Sequence, residues 1–473
     1  VGKSANGLRR ELSFVEAIAL SIGIMAPTAA MALNGSLAAG IAGSGVPLAF
    51  LLATIAVALA SFSFIQFSRY FAHSGSIYAF NGIALGPRVG FFSGWALLGT
   101  YVAFTCASVA EVGNFAEAFF AGLQVSVDWL PLALIAGTLI WVFAYGAITL
   151  STRLTLVIEG ISVLLIALLA LVILVKFGAA GQLTVQPFNP GNQPLHTVGL
   201  AASLAFSRSP VLRELPPLAR RHATHAAIFP WRFWSLWLTP ASFMSLSPMH
   251  KPLALVQTAG IRAFASSTSP LGTLGQRYIG SLMATLMNFG ATISAFASAL
   301  GTASASARML FSLGRDGFIT QRLGMTSRRT GSPANAVAIV MLLTFAVVLT
   351  WSRAPGVNGA SLFGFLGTIG VFLILVAYIL TNVAALRFFV ARRLWSWQWI
   401  VPVLAIVVPG YTLYSNLYPI PNPPYNIFPY VALAWLVVGL VIILTSPTLV
   451  RQIGLRLAES EGLHTEERAG PAS

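Results

Sequence analysis

The chain has 473 residues, of which 57% are hydrophobic and only 8% charged; soluble domains carry about 25% charged residues, so a water-soluble core is excluded. Its net charge of +15 does not point to nucleic acid, because Lys and Arg fall in short clusters between apolar runs rather than on one patch. The single cysteine, Cys106, lies inside an apolar run and excludes a disulfide framework or a thiolate metal site.

Apolar runs of about 20 residues without strand-like alternation predict membrane-spanning helices. They fall near 13–35, 44–67, 89–120, 130–149, 154–177, 197–218, 228–248, 278–308, 334–352, 361–388, 399–416 and 427–447. The first run is too long for a cleavable signal peptide and lacks a small-residue cleavage site, so the first helix is expected to direct insertion itself. Basic residues alternate between the connecting loops, as the positive-inside rule requires if the spans are real. Lys3, Arg9 and Arg10 precede the first span, Arg69 and Arg88 flank the loop after the second, and Arg153 follows the fourth. Arg315, Arg322, Arg328 and Arg329 follow the eighth, Arg387, Arg392 and Arg393 the tenth, and Arg451 and Arg456 the twelfth. Both termini are therefore expected in the cytoplasm, with the Pro-, Asn- and Gly-rich loops 178–196 and 417–426 outside. A transmembrane domain is expected over 1–456. Residues 457–473, with Glu459, Glu461, Glu466 and Glu467, read as a disordered cytoplasmic tail.

Mechanism has to be sought in polar and helix-breaking residues inside spans. In the first span, Pro27 removes a backbone donor and clashes with the carbonyl one turn earlier, so a break is expected at mid-membrane. A break frees N–H groups that suit a substrate carboxylate and carbonyls that suit an ammonium group; the alternative is a plain packing kink. In the fifth span Glu159 is costly unless it pairs, protonates or faces water, which makes it the candidate for proton coupling or else a structural hydrogen-bonding group. Glu111 is a weaker candidate, and Glu16, close to Arg9 and Arg10, reads as an interfacial ion pair. In the eighth span Ser294, Ser298, Thr302 and Ser306 recur every four residues and share one face. That face suits close helix packing, or ion coordination by Ser294, Ser298 and Thr302.

The stretch Arg69-Tyr70-Phe71-Ala72-His73-Ser74-Gly75-Ser76-Ile77-Tyr78-Ala79-Phe80, followed by Gly94-Trp95, resembles the amino acid/polyamine/organocation permease family. So do the opening Leu8-Arg9-Arg10-Glu11-Leu12-Ser13 and the run from Gly290-Ala291-Thr292-Ile293-Ser294-Ala295-Phe296 through Arg308-Met309-Leu310 to Gly314-Arg315-Asp316-Gly317. The resemblance implies an all-α polytopic LeuT-like fold: two inverted five-helix repeats plus two C-terminal helices, about 12 spans, with helices one and six broken at the substrate site. It places substrate at Met25, Ala26, Pro27, Thr28, Ala29 and Ala30. One departure stands out: the family's glycine-rich break is replaced by Ala26-Pro27-Thr28-Ala29, so carboxylate binding falls to Thr28, Ala29 and Ala30.

Residues 207–262 break the pattern, with Arg208, Arg213, Arg220, Arg221 and Arg232 crowding the expected sixth and seventh spans. If each codon is read from its third base, Pro210 to Pro230 translates, within codon degeneracy, as GFEGAAALGEEARHPRRNIP, which resembles the family's helix-six motif. The same shift over Trp231 to Val256 permits an apolar string containing FYVFVAYAQTTGFG, resembling helix seven, and normal reading resumes near Ile261. Compensating frameshifts are one reading. A divergent basic helix pair is the other.

The expected function is secondary active transport of an amino acid or related amine by alternating access, coupled to protons, with sodium left open. No cofactor, metal or nucleic acid is called for; the partners are substrate, ion and lipid bilayer. The excess of Arg over Lys suggests a GC-rich bacterial genome and hence the inner membrane. The alternatives are a non-transporting sensor or inactive relic, on the strength of 207–262, and a major facilitator fold, whose basic signature after helix two is not matched by Arg69 to Phe80. An intramembrane enzyme would need a His-Glu-x-x-His motif or a facing Ser/Lys or Asp/Asp pair, and neither is visible.

Overall fold

In hydrocarbon every backbone N–H and C=O must be satisfied within the chain, and a helix does this locally. The computed structural model describes residues 27–70, 76–146, 152–179, 197–199, 201, 258–315, 320–327, 331–391 and 399–445, and among these there are helices and no strand. In chain order they are α1 (Pro27–Ala42), α2 (Val46–Tyr70), α3 (Ser76–Leu85), α4 (Pro87–Gly122), α5 (Trp129–Tyr145) and α6 (Thr152–Ala179). Then come α7 (Thr258–Ala265), α8 (Pro270–Tyr278), α9 (Ser281–Arg315), α10 (Ala334–Trp351), α11 (Gly359–Ala391), α12 (Ile400–Ser415) and α13 (Phe428–Thr445). Seven helical stretches among the described residues are long and apolar enough to cross a bilayer, and α5 and α12 are shorter apolar helices.

Most of the long helices lie where the apolar runs predict them, but α1 continues to Ala42, past the expected end of the first span at 35. Three short ones, α3, α7 and α8, fall where no span is expected; about ten residues cannot cross a bilayer. The expected spans at 197–218 and 228–248 lie outside the described residues, apart from 197–199 and 201, as do the N-terminal segment before Pro27 and the tail.

α4 is the axis of the molecule, buried along most of its length and packed against both α9 and α11. Two lipid-like surfaces cannot be driven together by the hydrophobic effect, so close contact and hydrogen bonds must hold them. On the α9 side, the Ser108 and Ser298 hydroxyls meet at 3.4 Å, and those of Thr105 and Ser306 at 3.4 Å. From α10, Thr344 accepts from the Cys106 thiol at 3.6 Å. α11 joins α2, α3 and α4 through buried amides: Asn81 donates to Ser93 at 2.7 Å and to Thr381 at 3.1 Å, and Ser63 donates to Asn382 at 2.6 Å.

The last helix is clasped to α4 by a reciprocal pair of indoles. Trp95 donates to the Trp435 carbonyl at 2.8 Å and Trp435 to the Trp95 carbonyl at 3.0 Å, while the rings stack 4.8 Å apart. Gly99 and Gly439 make room for them: a Cβ at either would stand 2.4 Å from the opposing indole. Elsewhere α13 and α6 present mostly apolar side chains outward, as lipid-facing helices do.

Candidate functional site

α1 begins at Pro27, whose ring suits the first turn of a helix because the missing N–H has no intrahelical partner there. The next N–H groups are the orphan donors of a helix start. They are taken up by other helices. The Ala29 N–H donates to the Ser294 hydroxyl of α9 at 3.2 Å, and the Thr28 hydroxyl donates to a Glu159 carboxylate oxygen of α6 at 2.8 Å. The Thr28 N–H and the Ser294 hydroxyl also face that carboxylate. Thr28, Glu159 and Ser294 are all buried, Glu159 being only 2% exposed, and its other oxygen has no hydrogen-bond partner among the described residues.

The structure thus brings together three residue sets that the sequence reading flagged separately: the start of α1, Glu159 and Ser294. Ala30 is buried in the same first turn; Met25 and Ala26 lie outside the described residues. The rest of the α9 stripe is occupied differently. Ser298 and Ser306 face hydroxyls of α4, and the Thr302 hydroxyl turns back to the Ser298 carbonyl at 2.9 Å. Those contacts join α9 to α4 or close within α9. Glu111 lies buried on α4.

Two further residues shape the cluster. Ser162 is three residues beyond Glu159 on α6, and Gly290 four before Ser294 on α9, so each shares the face of its flagged neighbour. A Cβ on Gly290 would stand 2.5 Å from the Ser162 hydroxyl oxygen and 3.8 Å from a Thr28 methyl. Gly290 therefore permits the approach of α6 and α1 to α9. The i, i+3 spacing from Glu159 was the available signal for Ser162. For Gly290 the signal was its place on the small-residue stripe.

A carboxylate held at the start of one helix by a second helix, beside a hydroxyl from a third, is suited to binding a cation or proton. Among the described residues no cluster of three His, Cys, Asp or Glu side chains is placed to hold a metal ion.

A family model described as amino acid permease matches residues 12–217 and 233–443. The chain belongs to the amino acid permease family. The branched-chain amino acid permease BcaP of Lactococcus lactis subsp. cremoris is 25% identical over 353 residues, 70% of this chain and 73% of that protein. The methylthioribose transporter of Bacillus subtilis is 31% identical over 123 residues, 26% of this chain and 27% of its own length. The mouse cationic amino acid transporter 4 is 31% identical over 113 residues, only 18% of that protein. Among solved structures, a point mutant of the manganese transporter of Eremococcus coleocola aligns over 95% of this chain and 98% of its own at 12% identity, with a TM-score of 0.53. A complex of the same transporter with an aromatic bis-isothiourea compound gives 0.56 at 11% identity. At such identity the likeness carries the fold alone, which is that of LeuT-like transporters. The chain is a multi-pass membrane protein of a transporter family.

Proposed function

We propose that the chain is a secondary active permease for an amino acid or related amine, working by alternating access and coupled to protons, with no catalytic chemistry of its own. In this reading it sits in a bacterial inner membrane with both termini cytoplasmic, built as two inverted five-helix repeats plus two helices. Substrate lies at the start of α1, against residues 25–30. The observation that carries the reading is the Glu159 carboxylate accepting from Thr28 at 2.8 Å, next to the Ala29 N–H on Ser294.

The coupling follows from charge. The N-terminal end of a helix favours one anion, and Glu159 already stands there. A substrate carboxylate arriving at the same first turn meets a like charge in a poorly screened site, unless Glu159 has taken up a proton. Neutral Glu159 releases the helix end to the substrate, so proton and substrate bind together and leave together.

A second reading has a specific support. The family match breaks off at 217 and resumes at 233, inside the basic 207–262 segment, where Pro210 to Pro230 resembles the family's helix-six motif in the shifted frame. With compensating frameshifts the chain as written lacks half its substrate site and is an inactive relic or non-transporting sensor, whereas its in-frame parent is the permease.

One experiment separates these readings: uptake of a labelled amino-acid mixture into proteoliposomes under an imposed pH gradient, comparing the chain as written with one whose 207–260 frame is restored. Transport by the restored chain alone supports the permease and the frameshift together. Transport by the chain as written makes the basic segment a working helix pair and refutes the frameshift. Uptake by neither refutes the permease, and uptake driven by a sodium gradient at fixed pH replaces proton coupling with sodium coupling.

A further inference from the structure

Two basic side chains that play no part in the proposed transport site lie near one tyrosine ring where α6 and α8 end. Lys176, in the last turn of α6, donates to the Tyr278 carbonyl at the end of α8 at 3.2 Å and lies 5.7 Å from the centre of its ring. The Arg277 guanidinium lies 5.9 Å from the same ring. Gly280, at φ +146, makes the turn between α8 and α9 that a residue with a side chain would resist. Both cations are exposed, and no acidic side chain among the described residues forms an ion pair with either.

Below this pair runs an apolar surface. On α6 Leu171 and Val175 are 58% and 61% exposed, and on the adjoining α9 Leu282 and Leu286 are 73% and 40% exposed. Cations near exposed apolar side chains of two adjoining helices match the two ends of an amphiphile. Lys176 commits one of its three donors to Tyr278, leaving the others, with the fork of Arg277, for an anion.

We propose that Lys176, Arg277 and Tyr278 form a binding site for the headgroup of one acidic phospholipid, whose acyl chains lie along the α6–α9 cleft. The phosphate is held by both cations, which lie 5.7 and 5.9 Å from the centre of the Tyr278 ring. The bound lipid braces α8 against α6, the helix that carries Glu159.

The test is native mass spectrometry of the full chain released from neutral detergent, titrated with phosphatidylglycerol or phosphatidylcholine of the same acyl chains. A basic residue near an acidic lipid surface contributes about 1 kcal/mol, so two predict a preference of about 30-fold for phosphatidylglycerol. Lys176→Gln or Arg277→Gln should each reduce it to about fivefold, and the double variant should abolish it while still binding phosphatidylcholine. Equal binding of the two lipids overturns the proposal, as does a preference that survives in the double variant. Displacement of phosphatidylglycerol by millimolar inorganic phosphate would assign the cations to a free anion instead, and also overturns it.

Discussion

Replacing Glu159 with Gln separates proton coupling from folding. The amide has the same shape and keeps an oxygen to accept the Thr28 hydroxyl, whose bond to the present carboxylate is 2.8 Å long. A hydrogen bond to a charged group is worth about 1.5–3 kcal/mol and a neutral one about 0.5–1.5, so the folded state should lose about 1 kcal/mol. Proton binding is lost altogether. If substrate and proton bind one to one, apparent affinity over the range where Glu159 titrates changes by up to about tenfold per pH unit, and Glu159→Gln makes it flat. The assay has two arms, both in proteoliposomes holding the chain that transports. Concentrative uptake under a pH gradient should disappear in Glu159→Gln, whereas exchange of labelled for unlabelled substrate at equal pH should persist. A variant that still concentrates substrate in response to a pH gradient, or keeps the parental slope of affinity with pH, would refute the argument from competing carboxylates. Persisting exchange is the control that the variant remains folded.

The α9 stripe should divide functionally: Ser294→Ala should lower coupled uptake at least about tenfold, while Ser298→Ala, whose hydroxyl meets Ser108, and Thr302→Val, whose hydroxyl bonds back to α9, should leave it within about twofold and cost under about 1 kcal/mol in a thermal unfolding assay. Gly290→Ala should destabilise by about 1–3 kcal/mol, since its Cβ would meet the Ser162 hydroxyl at 2.5 Å; adding Ser162→Ala should recover part of the loss, and an unchanged unfolding temperature would show that α6 and α9 are not held that closely. Cys106, buried between α4 and α10 with its thiol on Thr344, should resist a membrane-permeant maleimide in the folded protein and react only after denaturation.

Helices could be read from the sequence because apolar length is a property of one segment at a time. Glu159 could be read for a similar reason: a carboxylate inside hydrocarbon is anomalous whatever surrounds it. What the sequence did not carry was partnership. Helical spacing puts Ser294, Ser298 and Thr302 on one face, but only packing shows that the first meets the start of α1 while Ser298 meets α4 and Thr302 bonds back within α9. With Ala26-Pro27-Thr28-Ala29 in place of a glycine-rich break, the sequence offers N–H groups as substrate ligands. The structure has the chain's own hydroxyl and carboxylate already using that end of the helix. Lys176 and Arg277 were inconspicuous as single charges, and they acquire meaning only because α6 and α8 end at the same place.

The paired indoles of Trp95 and Trp435 bear on which parts of the molecule travel together. Each ring is gripped by the other's carbonyl across 340 residues of chain, with glycine on both sides leaving little slack. α13 must therefore ride with α4 as a single body, and a transport cycle that rocks one bundle against another leaves this joint closed. The stacked pair is also a built-in optical gauge: its indole–indole coupling should stay constant through turnover and vanish once the C-terminal helix peels away. Any chain cut short before Trp435 loses a buttress of its central helix as well as a lipid-facing span.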